Sequence, residues 1–180
     1  MAAAIVALSL VVLFNLLLTF GVLRRLRELQ DRTPQGPITP PLQTGIRAPA
    51  FVAHDISGAR FSERDLAGGG VLAFLATDCD GCHQQIPTLQ VSLASVSNLP
   101  VVVVVATAMH GEVDTERSVE LMSRVKVPEY TRKVAAIEPL DGNLQAAYQV
   151  TDFPTYIIID DGGIIRATTH DASRVGIAAH

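Results

Sequence analysis

The sequence predicts an alternating α/β domain held behind a single membrane-spanning helix, and three observations carry that prediction. Residues Ala2–Leu23 contain no charged side chain. Downstream, short apolar and β-branched runs alternate with segments of helical character, the order expected of a sheet flanked by helices. Between one such strand and the next helix stands Cys79-Asp80-Gly81-Cys82, which holds both cysteines of the chain.

As a helix, Ala2–Leu23 would be about 33 Å long, enough to cross a bilayer core. A cleaved signal peptide has a basic start and a shorter apolar core, whereas Met1–Ala4 carries no side-chain charge, so residues 1–24 read as an uncleaved anchor. The hydrophobic fraction of 48% and mean hydropathy of +0.31 agree with a part of the chain lying in lipid. Arg24-Arg25-Leu26-Arg27-Glu28 ends the span, and residues 33–49 hold five of the ten prolines. Residues 25–47 are therefore a charged collar and Pro-rich spacer. Taken alone, the Arg collar would put the domain in the cytoplasm by the positive-inside rule.

Residues 48–180 are the domain. Phe51–Phe61, with a Ser57-Gly58 turn, predicts a hairpin; Val71–Ala76 predicts a buried strand; Cys82 to about Ser97 predicts a helix. Val101–Ala106 is β-branched and predicts a strand, and Asp114–Lys126 a helix with Asp114 as N-cap. Val134–Ile137 suits a short strand and Gly142–Tyr148 a short helix. Thr155–Asp160 and Ile164–Thr168, separated by Asp161-Gly162-Gly163, predict an antiparallel hairpin.

The mild net charge of −4, with 14 Lys and Arg residues in no long run, excludes a nucleic-acid partner. Two thiols three positions apart staple little chain, so their spacing points to local chemistry. A strand running into CxxC at a helix start places Cys79 beside unpaired backbone N–H groups, where the dipole stabilises a thiolate and makes it the natural nucleophile. Cys82, one turn on, is covered by the helix yet close enough to resolve a mixed disulfide. In Phe153-Pro154-Thr155 a proline precedes an apolar strand, where it cannot donate to a ladder and where a cis bond would account for it.

The run Ala76-Thr77-Asp78-Cys79-Asp80-Gly81-Cys82, with Pro87 after it, resembles the TlpA-like and MauD-like membrane-anchored thioredoxins. Asp141-Gly142-Asn143, Ala147-Tyr148-Gln149-Val150, Phe153-Pro154-Thr155, Ile159-Asp160 and Gly163-Ile164-Ile165 extend the match over Ala48–Arg166. The resemblance implies a thioredoxin-like fold, a central mixed sheet flanked by helices, with Cys79 attacking, Cys82 resolving and a cis-Pro154 packed against them. It puts Phe153, Pro154 and Thr155 where the substrate backbone binds. Asp78 stands where that family commonly has Trp, and the few residues after Thr169 predict a C-terminal helix that is short or absent. Asp78 and Asp80 flank Cys79 and, with His83, are expected to tune its pKa, the carboxylates disfavouring the thiolate and so favouring a reductant.

The expected function is thus a membrane-anchored thiol–disulfide oxidoreductase of extracytoplasmic proteins, with no cofactor beyond the redox-active Cys79–Cys82 pair and no metal. Its partners are protein thiols and disulfides, the bilayer through residues 2–23, and a membrane or thioredoxin-like electron donor. Two rivals stand beside it. Cys79-Asp80-Gly81-Cys82-His83 also fits covalent haem attachment with His83 as ligand, and Met109 or Met122 as the distal one; the thiols with His83 or His170 also fit a metal chaperone. A peroxidase signature is missing, because Leu72 and Ala76 stand where it needs Pro and Thr. His54, His110 and His180 read as exposed loop or terminal residues.

Overall fold

A computed structural model describes Asn15, 44–97 and 99–178 of the chain. The expected anchor and collar and most of the spacer lie outside these described residues, apart from the helical Asn15. Among the described residues, no helix is long and apolar enough to cross a membrane.

The core is a five-stranded mixed sheet in the spatial order β5 (Arg132–Ile137), β4 (Val101–Thr107), β3 (Gly70–Ala76), β6 (Thr155–Ile159) and β7 (Ile165–Thr169). β3 is its central strand with β4 beside it, and all fourteen residues of the two are buried. Such strands read as unbroken apolar runs because both faces of the sheet are covered. β3 and β4 are parallel, with Gly70 opposite Val101 and Ala76 opposite Thr107. β5 extends the parallel side, and β6 and β7 form the expected antiparallel hairpin on the other. Outside this sheet, β1 (Val52–His54) and β2 (Arg60–Ser62) form the first hairpin. The Asp55 carboxylate holds its turn, accepting from the Ser57 and Ala59 amides at 2.8 and 2.9 Å. His54 lies on that strand, exposed, and not in a loop.

Strand alternation sorts the core into two layers. Val71, Ala73 and Leu75 face one side with Ile86, Leu89 and Leu93 of helix α1 (Asp80–Ser95) and Leu121 and Met122 of α2 (Thr115–Arg124). Leu72 and Phe74 face the other with Phe51, Phe61 and Tyr148, whose rings meet edge to face. Asp114 caps α2 as its sequence position predicts, its Oδ1 accepting from the Arg117 amide at 3.1 Å. Helix α3 (Asn143–Ala147) is short, and α4 (Ser173–Ala178) is the short C-terminal helix. α4 packs so tightly on α1 that a Cβ at Gly176 would stand 2.5 Å from Ser95 Oγ and 3.1 Å from the Ser92 carbonyl.

Hydrogen bonding to β7 begins ahead of residue 48. Gly45 donates to the Ile165 carbonyl at 2.7 Å and Ile165 donates to that of Ile46 at 2.8 Å, which joins the end of the spacer to the sheet.

Candidate active site

β3 runs in the direction that delivers Thr77 and Asp78 to the start of α1, and β6, antiparallel beside it, begins at the same end of the sheet. Phe74 pairs with Thr155, so the CxxC turn and the Phe153-Pro154-Thr155 segment are brought together by register alone.

α1 starts two residues before the expected Cys82 because Cys79 itself is the N-cap. Its backbone is extended (φ −110°, ψ 105°), and its Sγ accepts from the Cys82 amide at 3.1 Å. A sulfur here replaces the oxygen that usually satisfies an orphan helix N–H. The two cysteines are joined as a disulfide, with their Cα atoms 5.3 Å apart. Their accessibility differs: Cys79 is 7% exposed and Cys82 is fully buried, with the Ala76 amide 3.5 Å from its sulfur.

The Phe153–Pro154 peptide bond is cis. The Phe153 carbonyl lies 3.6 Å from Cys79 Sγ. Gly81 fits between, since a Cβ there would be 3.9 Å from both Cys79 Sγ and Pro154 Cδ. Pro154 and Thr155 are buried and Phe153 is half-buried. The Thr155 hydroxyl donates to the Asp152 carbonyl at 2.5 Å, closing the turn.

The three residues expected to tune the thiol sit differently from one another. Asp80 occupies the first position of α1 and is exposed. Asp78 is occupied elsewhere: it accepts from the amides of Met109 and His110 at 2.8 and 2.9 Å and lies 3.0 Å from His110 Nδ1. Partial burial opposes its ionised form, but these hydrogen bonds outweigh it and hold the carboxyl below the ordinary range. His83 turns its Nε2 to the Thr77 carbonyl at 3.0 Å and its Nδ1 to the Arg124 guanidinium at 2.9 Å. A carbonyl only accepts and a guanidinium only donates, so the ring's proton is on Nε2 and its lone pair on Nδ1.

That arrangement bears on the two rivals. Haem attachment and a thiol–His83 metal site both need a free His83 nitrogen, and both of its nitrogens are engaged. His170, the other candidate for the chaperone, has its Nδ1 turned to the Pro154 carbonyl. Met109 is half-buried against the core and Met122 is 2% exposed within it. Among the described residues, no three His, Cys, Asp or Glu side chains converge in a way that could hold a metal ion.

Sequence reasoning gave Met109, His110 and His170 other roles and overlooked Arg124. Met109 and His110 receive Asp78, Arg124 receives His83, and His170 sits against the Pro154 carbonyl at 2.9 Å. Each meets its partner across a loop or from another element, and no local spacing announces it.

Comparison with known proteins agrees with this geometry. The profile of the AhpC/TSA family matches residues 44–168. The chain is 31% identical to the thioredoxin-like protein YneN of Bacillus subtilis over 127 residues, 69% of this chain and 70% of that one. Among solved structures it is similar to the thioredoxin domain of a thiol-disulfide oxidoreductase from Bacteroides vulgatus, with TM-score 0.59, 22% identity and coverage of 76% and 94%. It is also similar to a structure from Chlorobium tepidum named as a thiol:disulfide interchange protein DsbE, with TM-score 0.56, 25% identity and coverage of 72% and 86%. The chain belongs to the AhpC/TSA family and, with its CxxC pair set at a helix start in a thioredoxin-like fold, to the thioredoxin-like thiol–disulfide oxidoreductases.

Proposed function

We propose that the protein reduces disulfides of extracytoplasmic proteins, with Cys79 as the attacking and Cys82 as the resolving thiol. The observation that carries this reading is the asymmetry of the pair. Cys79 Sγ caps the helix, accepts a backbone N–H and faces the Phe153 carbonyl, while the Cys82 sulfur is fully buried.

In the reduced protein, the α1 dipole and the Cys82 amide stabilise a Cys79 thiolate. That thiolate attacks one sulfur of a substrate disulfide held along Phe153, Pro154 and Thr155. A Cys79–substrate bond forms as the substrate S–S bond breaks, and the other substrate sulfur leaves as a thiolate. Cys82 then attacks Cys79 Sγ, the mixed disulfide breaks, and the second substrate thiol is released. Two electrons pass to the substrate and the Cys79–Cys82 disulfide remains. An external dithiol at the membrane reduces this disulfide back to the Cys79 and Cys82 thiols and is itself oxidised to a disulfide, and no cofactor takes part.

Trapping tests the assignment. In the full-length Cys82→Ser chain, Cys79 should accumulate reductant-sensitive mixed disulfides, and Cys79→Ser should accumulate none. Capture by Cys79→Ser in place of Cys82→Ser would reverse the roles.

The location rests on the uncharged Ala2–Leu23 run and the Pro-rich spacer after it. A tethered thioredoxin is useful where soluble thioredoxin does not reach, and that consideration is set against the Arg24, Arg25 and Arg27 collar. After mild reduction of intact cells, a membrane-impermeant maleimide should label Cys79. Protection until lysis would place the domain in the cytoplasm.

A further inference from the structure

We propose that His170 is a positioning residue that holds the cis-Pro154 segment in its substrate-receiving geometry. The proposal rests on the reading of that segment as the substrate contact. Its Nδ1 lies 2.9 Å from the Pro154 carbonyl and 3.1 Å from Thr155 Oγ1. The carbonyl only accepts, so Nδ1 carries the proton. The Thr155 hydroxyl gives its own proton to the Asp152 carbonyl, which leaves its lone pairs toward the same Nδ1–H. One imidazole N–H thus serves two acceptors of the segment.

His170 is itself fixed from the helix that bears the cysteines. Its carbonyl accepts from Gln85 Nε2 at 3.0 Å, and Gln85 Oε1 accepts from the Ala172 amide at 2.8 Å. Gln85 lies on α1, three positions after Cys82. The chain of contacts therefore runs from α1 through Gln85 and His170 to Pro154. It closes on Cys79, because the adjoining Phe153 carbonyl stands 3.6 Å from that sulfur. Proline has no N–H, so the carbonyl is the only backbone hydrogen-bonding group of residue 154, and it is committed to His170. Without that bond, the turn between Asp152 and Thr155 keeps only the Thr155 hydroxyl as its internal tie. The backbone that faces an incoming peptide would then be free to shift relative to the sulfur, while the sulfur itself is untouched.

The distinguishing feature is the position of the donor. The amide nitrogen of asparagine reproduces imidazole Nδ1, whereas that of glutamine reaches the place of Nε2. Full-length protein in detergent would be assayed for reduction of insulin with dithiothreitol as the reductant. In H170L, KM for insulin should rise about fivefold, the equivalent of one neutral hydrogen bond of about 1 kcal/mol. Its kcat should stay within about twofold, because the interaction is with the segment that binds and not with the reacting atoms. H170N should restore KM, and H170Q should resemble H170L. An unchanged KM in H170L, or equal rescue by H170N and H170Q, would overturn the proposal. So would a fall in kcat accompanied by a lower melting temperature, which would mark His170 as part of the scaffold. If the parent protein does not reduce insulin, the substrate-contact reading falls together with this one; failure confined to the variants overturns this one alone.

Discussion

The Asp78 carboxylate is bound to His110, accepting from its backbone amide at 2.9 Å and lying 3.0 Å from its Nδ1, with the Met109 amide on the other oxygen. The residue just before the CxxC is thus a bracket between the end of β3 and the loop after β4. Its charge serves two backbone donors in addition to any effect on Cys79.

Substituting Asp78 should therefore act on stability. Asp78→Ala leaves the two amides without their acceptor and should cost about 1 kcal/mol, less than the roughly 1.5–3 kcal/mol of hydrogen bonds to charged groups because the side chain is partly solvated. The Asp78 carboxyl is held below its usual 3.8 by these hydrogen bonds against the effect of burial, so its contribution is present above that pH and lost as pH falls through the folded value. Urea midpoints of parent and variant should differ at neutral pH and converge in strong acid. A gap of the same size at both would show that the carboxylate's charge plays no part.

Alkylation should discriminate the cysteines. Cys79 caps the helix at 7% exposure, whereas Cys82 is fully buried beneath it. In the reduced full-length protein at neutral pH, iodoacetamide should modify Cys79 first, as peptide mass mapping over time would reveal. Faster modification of Cys82 would contradict the assignment of the nucleophile.

Asp80 and Asp78 should separate in their redox effects. Asp80 is exposed at the first position of α1, next to Cys79, and its charge disfavours the thiolate. Asp80→Asn should stabilise the thiolate, and hence the reduced form, raising the reduction potential by roughly 5 to 20 mV. Asp78→Asn should shift it less, since that carboxylate is occupied by Met109 and His110. Equilibration with glutathione buffers measures both, and a larger shift for Asp78→Asn would reverse this ranking.

What the sequence revealed and what it hid follow from the range of the interactions. β3 and β4 were legible as continuous apolar runs, the Asp114 cap from its place before a helical segment, and the last hairpin from Asp161-Gly162-Gly163. The thioredoxin-like order rests on the family resemblance, and the cis-Pro154 on that resemblance together with the place of a proline just ahead of an apolar strand. The local pattern puts the start of α1 two residues late because a cysteine sulfur is an unusual cap, and only the folded turn brings Cys79 Sγ to the Cys82 amide. Asp78 and Met109 are 31 residues apart, and His170 and Pro154 are 16. Those pairs are created by strand register and loop packing, which a local pattern does not encode.

Glu138 offers a pH test of the layer behind the site. It is 8% exposed, and its two oxygens accept from the Leu144 amide at 3.0 Å each, one of them also from Gln145 at 3.4 Å. It thereby satisfies the second and third amides of α3, which leads through Tyr148 and Val150 to the cis-Pro segment. Burial raises its pKa above the usual 4.5, against the opposing pull of the two amides. The fold consequently favours the protonated carboxyl. Its contribution is full below the unfolded pKa and declines as pH rises through the higher folded value. Glu138→Gln keeps an acceptor oxygen without a titrating proton, so as pH falls from 7 to 4.5 the parent should gain stability relative to that variant. The aspartates held below 3.8, Asp55, Asp65, Asp78, Asp160 and Asp171, lose their contributions only in stronger acid, and any group common to both proteins cancels in the difference. Glu138→Ala, which strands two buried amides, should cost about 1–3 kcal/mol across the whole range. Denaturant midpoints at several pH values measure all three proteins, and a parent-to-glutamine difference that stays constant from pH 7 to 4.5 would mean that the Glu138 carboxyl titrates alike in the folded and unfolded chain.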